Sequence, residues 1–203
     1  MAMNMQIGAV PKMKIKVCMV GDSGVGKTSL VRRYVLDFFD DRYIVTLGTK
    51  ITKKQLLVKE TPLGAPMDIT LTLWDIMGQE GFRELLKESY FYGANGLLAV
   101  IDVTDAATLV SLKRWIDLAQ SVTGRIPVHL VVNKVDLKDK AAVRPEDVAL
   151  TANELGISFS FASAKTGEGV EDAFHAIASA IVHARFARGL NLRPQKPQQP
   201  LIH

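Results

Sequence analysis

The chain has one cysteine, Cys18, among 203 residues, so no disulfide can close within it, which fits a cytosolic protein. Cys18 falls inside the apolar run KIKVCMV and reads as a small buried hydrophobe without a redox role. Long hydrophobic runs are missing too. The longest candidate, Gly93 to Ile101, stops at Asp102, well short of the roughly 18 apolar residues that span a bilayer. The opening MAMNMQIGAVPKMK offers only Ile7 to Val10 before Pro11, too little for the core of a signal peptide. Together these absences set a cytoplasmic expectation. Charge of one sign is also scarce. The net charge is +4, and the lysines and arginines are scattered, with no basic block carrying interleaved aromatics. Nucleic acid is therefore not expected as a partner. Of the four histidines, His175 and His183 share one predicted helix at a spacing of eight. That is not the i,i+4 spacing that brings two ligands to one metal, so they read as core or surface residues.

With 48% hydrophobic and 23% charged residues, the chain is long enough for one well-packed domain. Apolar, β-branched runs alternate with stretches of helical period. The strand candidates are Lys14 to Val20, GTKITKKQLLVKE, MDITLTLWD, NGLLAVIDV, PVHLVVNKV and ISFSFAS. The helix candidates are Lys27 to Leu36, Phe82 to Tyr90, Ala107 to Val122, Pro145 to Leu155 and Val170 to Ala187. This alternation predicts an α/β fold, a mostly parallel six-stranded sheet with about five helices on both faces. The second and third strands are joined only by TPLGAP, Thr61 to Pro66, a turn that makes them a hairpin and gives one antiparallel edge strand. The expected division is an N-terminal extension over 1–12, a domain over 13–187 and a tail over 188–203. The tail, rich in Pro and Gln, has no periodicity and is expected to be disordered.

Ligands of open α/β sheets bind beyond the carboxyl ends of the strands, so the residues directly after each strand are site candidates. After the first strand comes Gly21-Asp22-Ser23-Gly24-Val25-Gly26-Lys27-Thr28-Ser29, the P-loop pattern. Its glycines let successive N–H groups curl around phosphate at a helix N-terminus. Lys27 is placed for the β- and γ-phosphates, and the Thr28 hydroxyl for Mg²⁺. After the third strand comes WDIMGQE. Asp75 suits Mg²⁺ through water, the Gly78 N–H suits a γ-phosphate, and Gln79 carries the donor and acceptor to orient a water. After the fifth comes NKVD, Asn133 to Asp136. The Asp136 carboxylate only accepts hydrogen bonds and matches the adjacent N1–H and N2–H₂ donors of guanine. Asn133 bridges base and P-loop, and the Lys134 stem lies across the ring. After the sixth comes Ser163-Ala164-Lys165, whose Ala164 N–H is directed at guanine O6.

GDSGVGKTSL, WDIMGQE, NKVD and SAK, in this order and spacing, resemble the Ras superfamily of small GTPases, nearest its Rab-like branch. The resemblance covers about Lys14 to His183. It implies a G domain that binds GTP and GDP with Mg²⁺ and carries two switch loops. It implies a switch that hydrolyses GTP slowly and works through an exchange factor, an activating protein and effectors in signalling or trafficking, as a monomer. By the same resemblance Thr46, nineteen positions after Lys27, closes over Mg²⁺ in the GTP state. Phe39 stacks on the guanine edge and Tyr43 lies over the phosphates.

The chain departs from the family pattern in three places. Ile76 and Met77 stand where the family usually has Thr and Ala, and the hairpin around TPLGAP is longer than usual. The last residues, QQPLIH, hold no cysteine and residue 2 is Ala, so neither prenylation nor N-myristoylation is expected. A cut C-terminus and a member without a lipid anchor account for this equally well. Membrane contact is then expected to be weak and peripheral. Arg42 and Arg83 read as solvated loop charges, which leaves catalysis to Gln79 and Lys27. Two rival functions remain. A scaffold that holds nucleotide without hydrolysing it is disfavoured by Gln79. A P-loop kinase or ATPase is disfavoured by Asp136 and by the lack of an arginine-rich lid.

Overall fold

The computed structural model describes residues 10–39, 49–76 and 87–190. Six strands form one sheet in the order β2-β3-β1-β4-β5-β6. They are β1 (Lys12–Val20), β2 (Thr49–Val58), β3 (Met67–Ile76), β4 (Gly96–Asp102), β5 (Val128–Asn133) and β6 (Ser158–Phe161). All neighbouring pairs are parallel except β2 with β3. That pair is the hairpin expected from TPLGAP, closing from Val58 opposite Met67. In the turn, Gly64 N–H donates to Thr61 O (2.9 Å) and the Thr61 hydroxyl donates to Ala65 O (2.7 Å).

The longer helices among the described residues are α1 (Lys27–Leu36), α2 (Ala106–Thr123), α3 (Pro145–Leu155) and α4 (Val170–Leu190), and residues 87–91 are also helical. Local chemistry sets their ends. Asp105 caps α2 by accepting the Ala107 N–H (3.0 Å). Pro145 opens α3 with Glu146 and Asp147 in its first turn, where the helix dipole favours acid. The last helix runs three residues beyond the Ala187 read from its periodicity. There Arg188 donates to Arg125 O (2.5 Å) and ties the final turn to the loop after α2.

Strand alternation explains the two cores. In β1, Val17 and Met19 face one layer while Cys18 and Val20 face the other. The first layer takes Leu30, Val31 and Tyr34 of α1 and Phe174, Ile177 and Ile181 of α4, with Tyr34 stacked on Phe174 at 4.0 Å between ring centroids. The second takes Leu112, Trp115 and Ile116 of α2 and Val148 of α3. Every residue of β4 and β5 is buried, as expected of strands covered on both faces. Cys18 is fully buried, and burial pushes its thiol pKa up to about 12. Among the described residues no helix is long and apolar enough to cross a membrane, and no His, Cys, Asp and Glu cluster is arranged to hold a metal.

Candidate nucleotide-binding site

The P-loop leaves β1 at Gly21 and enters α1 at Lys27. Gly26 has φ +99°, and a Cβ there would lie 2.3 Å from Asn133 Nδ2, so both the backbone conformation and the close approach require glycine. The Lys27 ammonium donates to Gly21 O and Asp22 O, each at 2.7 Å. It is thereby folded over the loop that it flanks in sequence. The Asp22 carboxylate points the other way. It accepts the Trp115 indole N–H (2.9 Å) and the Ser111 hydroxyl, both from α2. Such a turn is needed in an anion cradle, because a carboxylate aimed inward would repel phosphate. An anion held in this loop would meet the backbone of Asp22 and not its carboxylate.

Thr28 and Asp75 meet as their motifs implied. The Thr28 hydroxyl donates to Asp75 Oδ2 at 2.5 Å. Asp75 is 1% exposed, and its Oδ1 has no hydrogen-bond partner among the described residues. Burial pushes its pKa up, against the pull of the Thr28 hydrogen bond and the charge of Lys27. A buried carboxylate oxygen without a donor, beside a hydroxyl oxygen, is a hard oxygen set of the kind that takes Mg²⁺, directly or through water. The residues present therefore fit that ion.

Asn133, the last residue of β5, joins the loops. Its Nδ2 donates to Val25 O (2.8 Å), and its Oδ1 accepts the Ala164 N–H (3.1 Å). One buried amide ties the P-loop to the loop after β6. The Ala164 N–H, directed at guanine O6 in the sequence reading, is thus engaged by Asn133. The Ser163 hydroxyl donates to Asp136 Oδ1 (2.6 Å) and accepts the Thr166 N–H (3.1 Å), which ties one oxygen of the Asp136 carboxylate to the loop after β6. Lys134 has φ +69°, a left-handed conformation rare for a non-glycine residue, and its ammonium pairs with Asp102 Oδ2 at 2.5 Å. Asp102 also accepts the Thr104 N–H (2.9 Å) and hydroxyl (2.7 Å) through Oδ1. Burial raises the Asp102 pKa, but the bonds from Lys134 and Thr104 outweigh it and hold the carboxyl below its ordinary value.

Phe39 is half-buried and packs against the first core layer. Tyr43, Thr46, Gly78 and Gln79 lie outside the described residues, as do Arg42 and Arg83. Sequence reasoning missed Asp102, Ser111 and Trp115. For Asp102 a signal existed: it is a carboxylate at the carboxyl end of the interior strand β4, on the same side of the sheet as the motif residues. The α2 pair carried none, since Ser111 and Trp115 sit on an ordinary amphipathic helix.

The sequence model of the Ras family matches residues 16–183 of the chain. The chain is also 37% identical over 167 residues to the Ras-related protein RABD2c of Arabidopsis thaliana, an alignment covering 82% of this chain and 79% of that protein.

Proposed function

The chain belongs to the Ras family and is a Rab-like small GTPase, a switch that binds GTP and GDP with Mg²⁺ and hydrolyses GTP; from that premise we propose how its residues divide the work. The P-loop amides from Gly21 to Ser29 cradle the phosphates, with Lys27 neutralising the β- and γ-oxygens. Thr28 and Asp75 would hold Mg²⁺, Asp75 through water, and Thr46 would join them only with a γ-phosphate present. Mg²⁺ held there would supply positive charge to offset the charge that builds on the phosphate oxygens during transfer. Gln79 orients the attacking water, and Gly78 donates its N–H to the γ-phosphate. Asp136 reads guanine, with Lys134 over the ring, Phe39 at its edge and Ser163, Ala164 and Lys165 walling it in. Tyr43 covers the phosphates.

The observation that carries this assignment is the Asn133 amide bridging Val25 and Ala164, because it sets a fixed separation between a phosphate loop and a base loop. In hydrolysis a water oxygen bonds to the γ-phosphorus as the bond to the bridging oxygen breaks, and GDP leaves carrying that electron pair. Arg42 and Arg83 are read from the sequence as solvated loop charges that do not assist. Intrinsic turnover is therefore slow, on the order of 10⁻⁴ to 10⁻³ per second, and open to acceleration by an activating protein. The same reading makes the chain a monomer that meets exchange factor, activating protein and effectors one at a time. A single-turnover assay tests it: Gln79→Leu slows hydrolysis at least tenfold while GTP affinity holds. Wild-type turnover above about 10⁻² per second, lost in Arg42→Ala, means that an arginine acts in cis and the assignment fails.

A further inference from the structure

Arg33 lies six residues after Lys27 on α1, the helix that the P-loop enters. Its side chain is 18% exposed, and all three guanidinium nitrogens donate to backbone or carboxylate oxygens. Nε donates to Ala164 O (2.9 Å) and Nη2 to Lys165 O (2.6 Å), so one edge of the plane takes two successive carbonyls of the loop after β6. Nη1 donates to Asp37 Oδ1 (3.1 Å) and Asp37 O (3.3 Å). Asp37 closes α1 in a left-handed conformation (φ +50°) and begins the segment leading to Phe39 and Thr46. A planar, permanently charged fork is the side chain suited to such a three-way grip, and a lysine ammonium is not.

We propose that Arg33 is a positioning residue that sets how long nucleotide stays bound, by pinning the Ser163–Lys165 loop to the phosphate helix and sharing that pin with the chain at Asp37. The inference rests on the reading of Ser163–Lys165 as a wall of the guanine site. Ala164 and Ser163 are also tied to Asn133 and Asp136 on the β5 side, and Arg33 grips the loop from the α1 side. Because one guanidinium serves both, drawing the chain at 37 away from α1 loosens the base loop as well.

The test is release of a fluorescent GDP, chased with excess GDP in Mg²⁺ buffer, from the full chain. Arg33→Met keeps the apolar stem and removes every donor; release should speed about tenfold or more, since each net hydrogen bond is worth several-fold in an equilibrium. Arg33→Lys should fall between this variant and wild type. Asp37→Gly, which suits the left-handed position, should speed release about two- to threefold alone and add nothing on the Arg33→Met background. Single-turnover hydrolysis in preloaded Arg33→Met should stay within twofold, and amide exchange should rise at residues 164–166 and not along β4 and β5. These last two readouts separate positioning from general loss of stability. Release within twofold of wild type in Arg33→Met overturns the proposal, as does equal loss of amide protection throughout the sheet. If Arg33→Met does not fold, Arg33→Lys at the wild-type rate overturns it instead. Failure of the underlying site reading looks different: wild type would not retain the GDP probe, or Asp136→Asn would retain it unchanged.

Discussion

Gly26→Ala places one methyl group where the structure has least room. The ideal Cβ position is 2.3 Å from Asn133 Nδ2, and φ is +99°. A left-handed alanine costs about 1–2 kcal/mol before any contact is counted. The neighbour is no flexible side-chain tip, because the Asn133 amide is held at both ends by Val25 O and the Ala164 N–H. Moving it aside breaks both bonds in a buried place, at about 1–3 kcal/mol each for groups left unsatisfied. The sum is about 3–8 kcal/mol, and even its lower end exceeds a hundredfold in an equilibrium constant. Release of fluorescent GDP should therefore quicken by about a hundredfold or more, with reduced melting temperature in saturating GDP. Asn133→Ala should reproduce most of the effect, and Gly26→Ala on that background should add only the backbone strain. Strict additivity of the two substitutions, or release within threefold of wild type in Gly26→Ala, would refute the reasoning, since residues in contact must couple.

His129 is buried, bonded through Nδ1 to the Ser158 hydroxyl (2.8 Å) and through Nε2 to the Ser160 hydroxyl (2.9 Å), and burial lowers its pKa to about 4. The unfolded chain binds this proton near pH 6.5 and the folded one does not, so stability is lost as pH falls from about 6.5 towards 4 and levels off below. Between pH 7 and 5 wild type should lose about 2 kcal/mol more than His129→Gln by urea unfolding, and parallel losses would count against this. Asp136→Asn should weaken GTP binding by about 2–4 kcal/mol and favour xanthosine nucleotide in competition, because the amide no longer matches two guanine donors. Trp115→Phe removes the donor to Asp22 and the five-membered part of a buried indole, so stability should drop by about 1–3 kcal/mol from the lost bond plus a cavity cost, with faster amide exchange at Asp22 to Gly24 and none at β6.

Legibility divided along a physical line. Strands, helices and the β2–β3 hairpin were readable because periodicity and turn chemistry are local, and the helix candidates at Lys27–Leu36 and Pro145–Leu155 match the structure residue for residue. The motif residues were readable because strand ends converge on one side of a parallel sheet. What escaped was the wiring between them. Asp22 with Trp115, Arg33 with Ala164 and Lys134 with Asp102 pair residues 93, 131 and 32 positions apart, and none leaves a periodic trace. Lys134 shows the limit best: the motif locates its stem, but only the fold brings its head to a carboxylate on the neighbouring strand.

The register of the sheet carries a practical consequence. Asp68 stands beside Lys12 at the start of β1 while Asp75 stands beside Met19 near its end, so the turn at Thr61–Pro66 projects from the pole opposite the P-loop. Lengthening a surface turn costs little closure entropy, growing only with the logarithm of its length, and exposed tips are where insertions are accepted. That turn is the natural port for a grafted reporter: an epitope or fluorescent domain spliced after Leu63 would ride on the protein while nucleotide chemistry proceeds undisturbed at the other end.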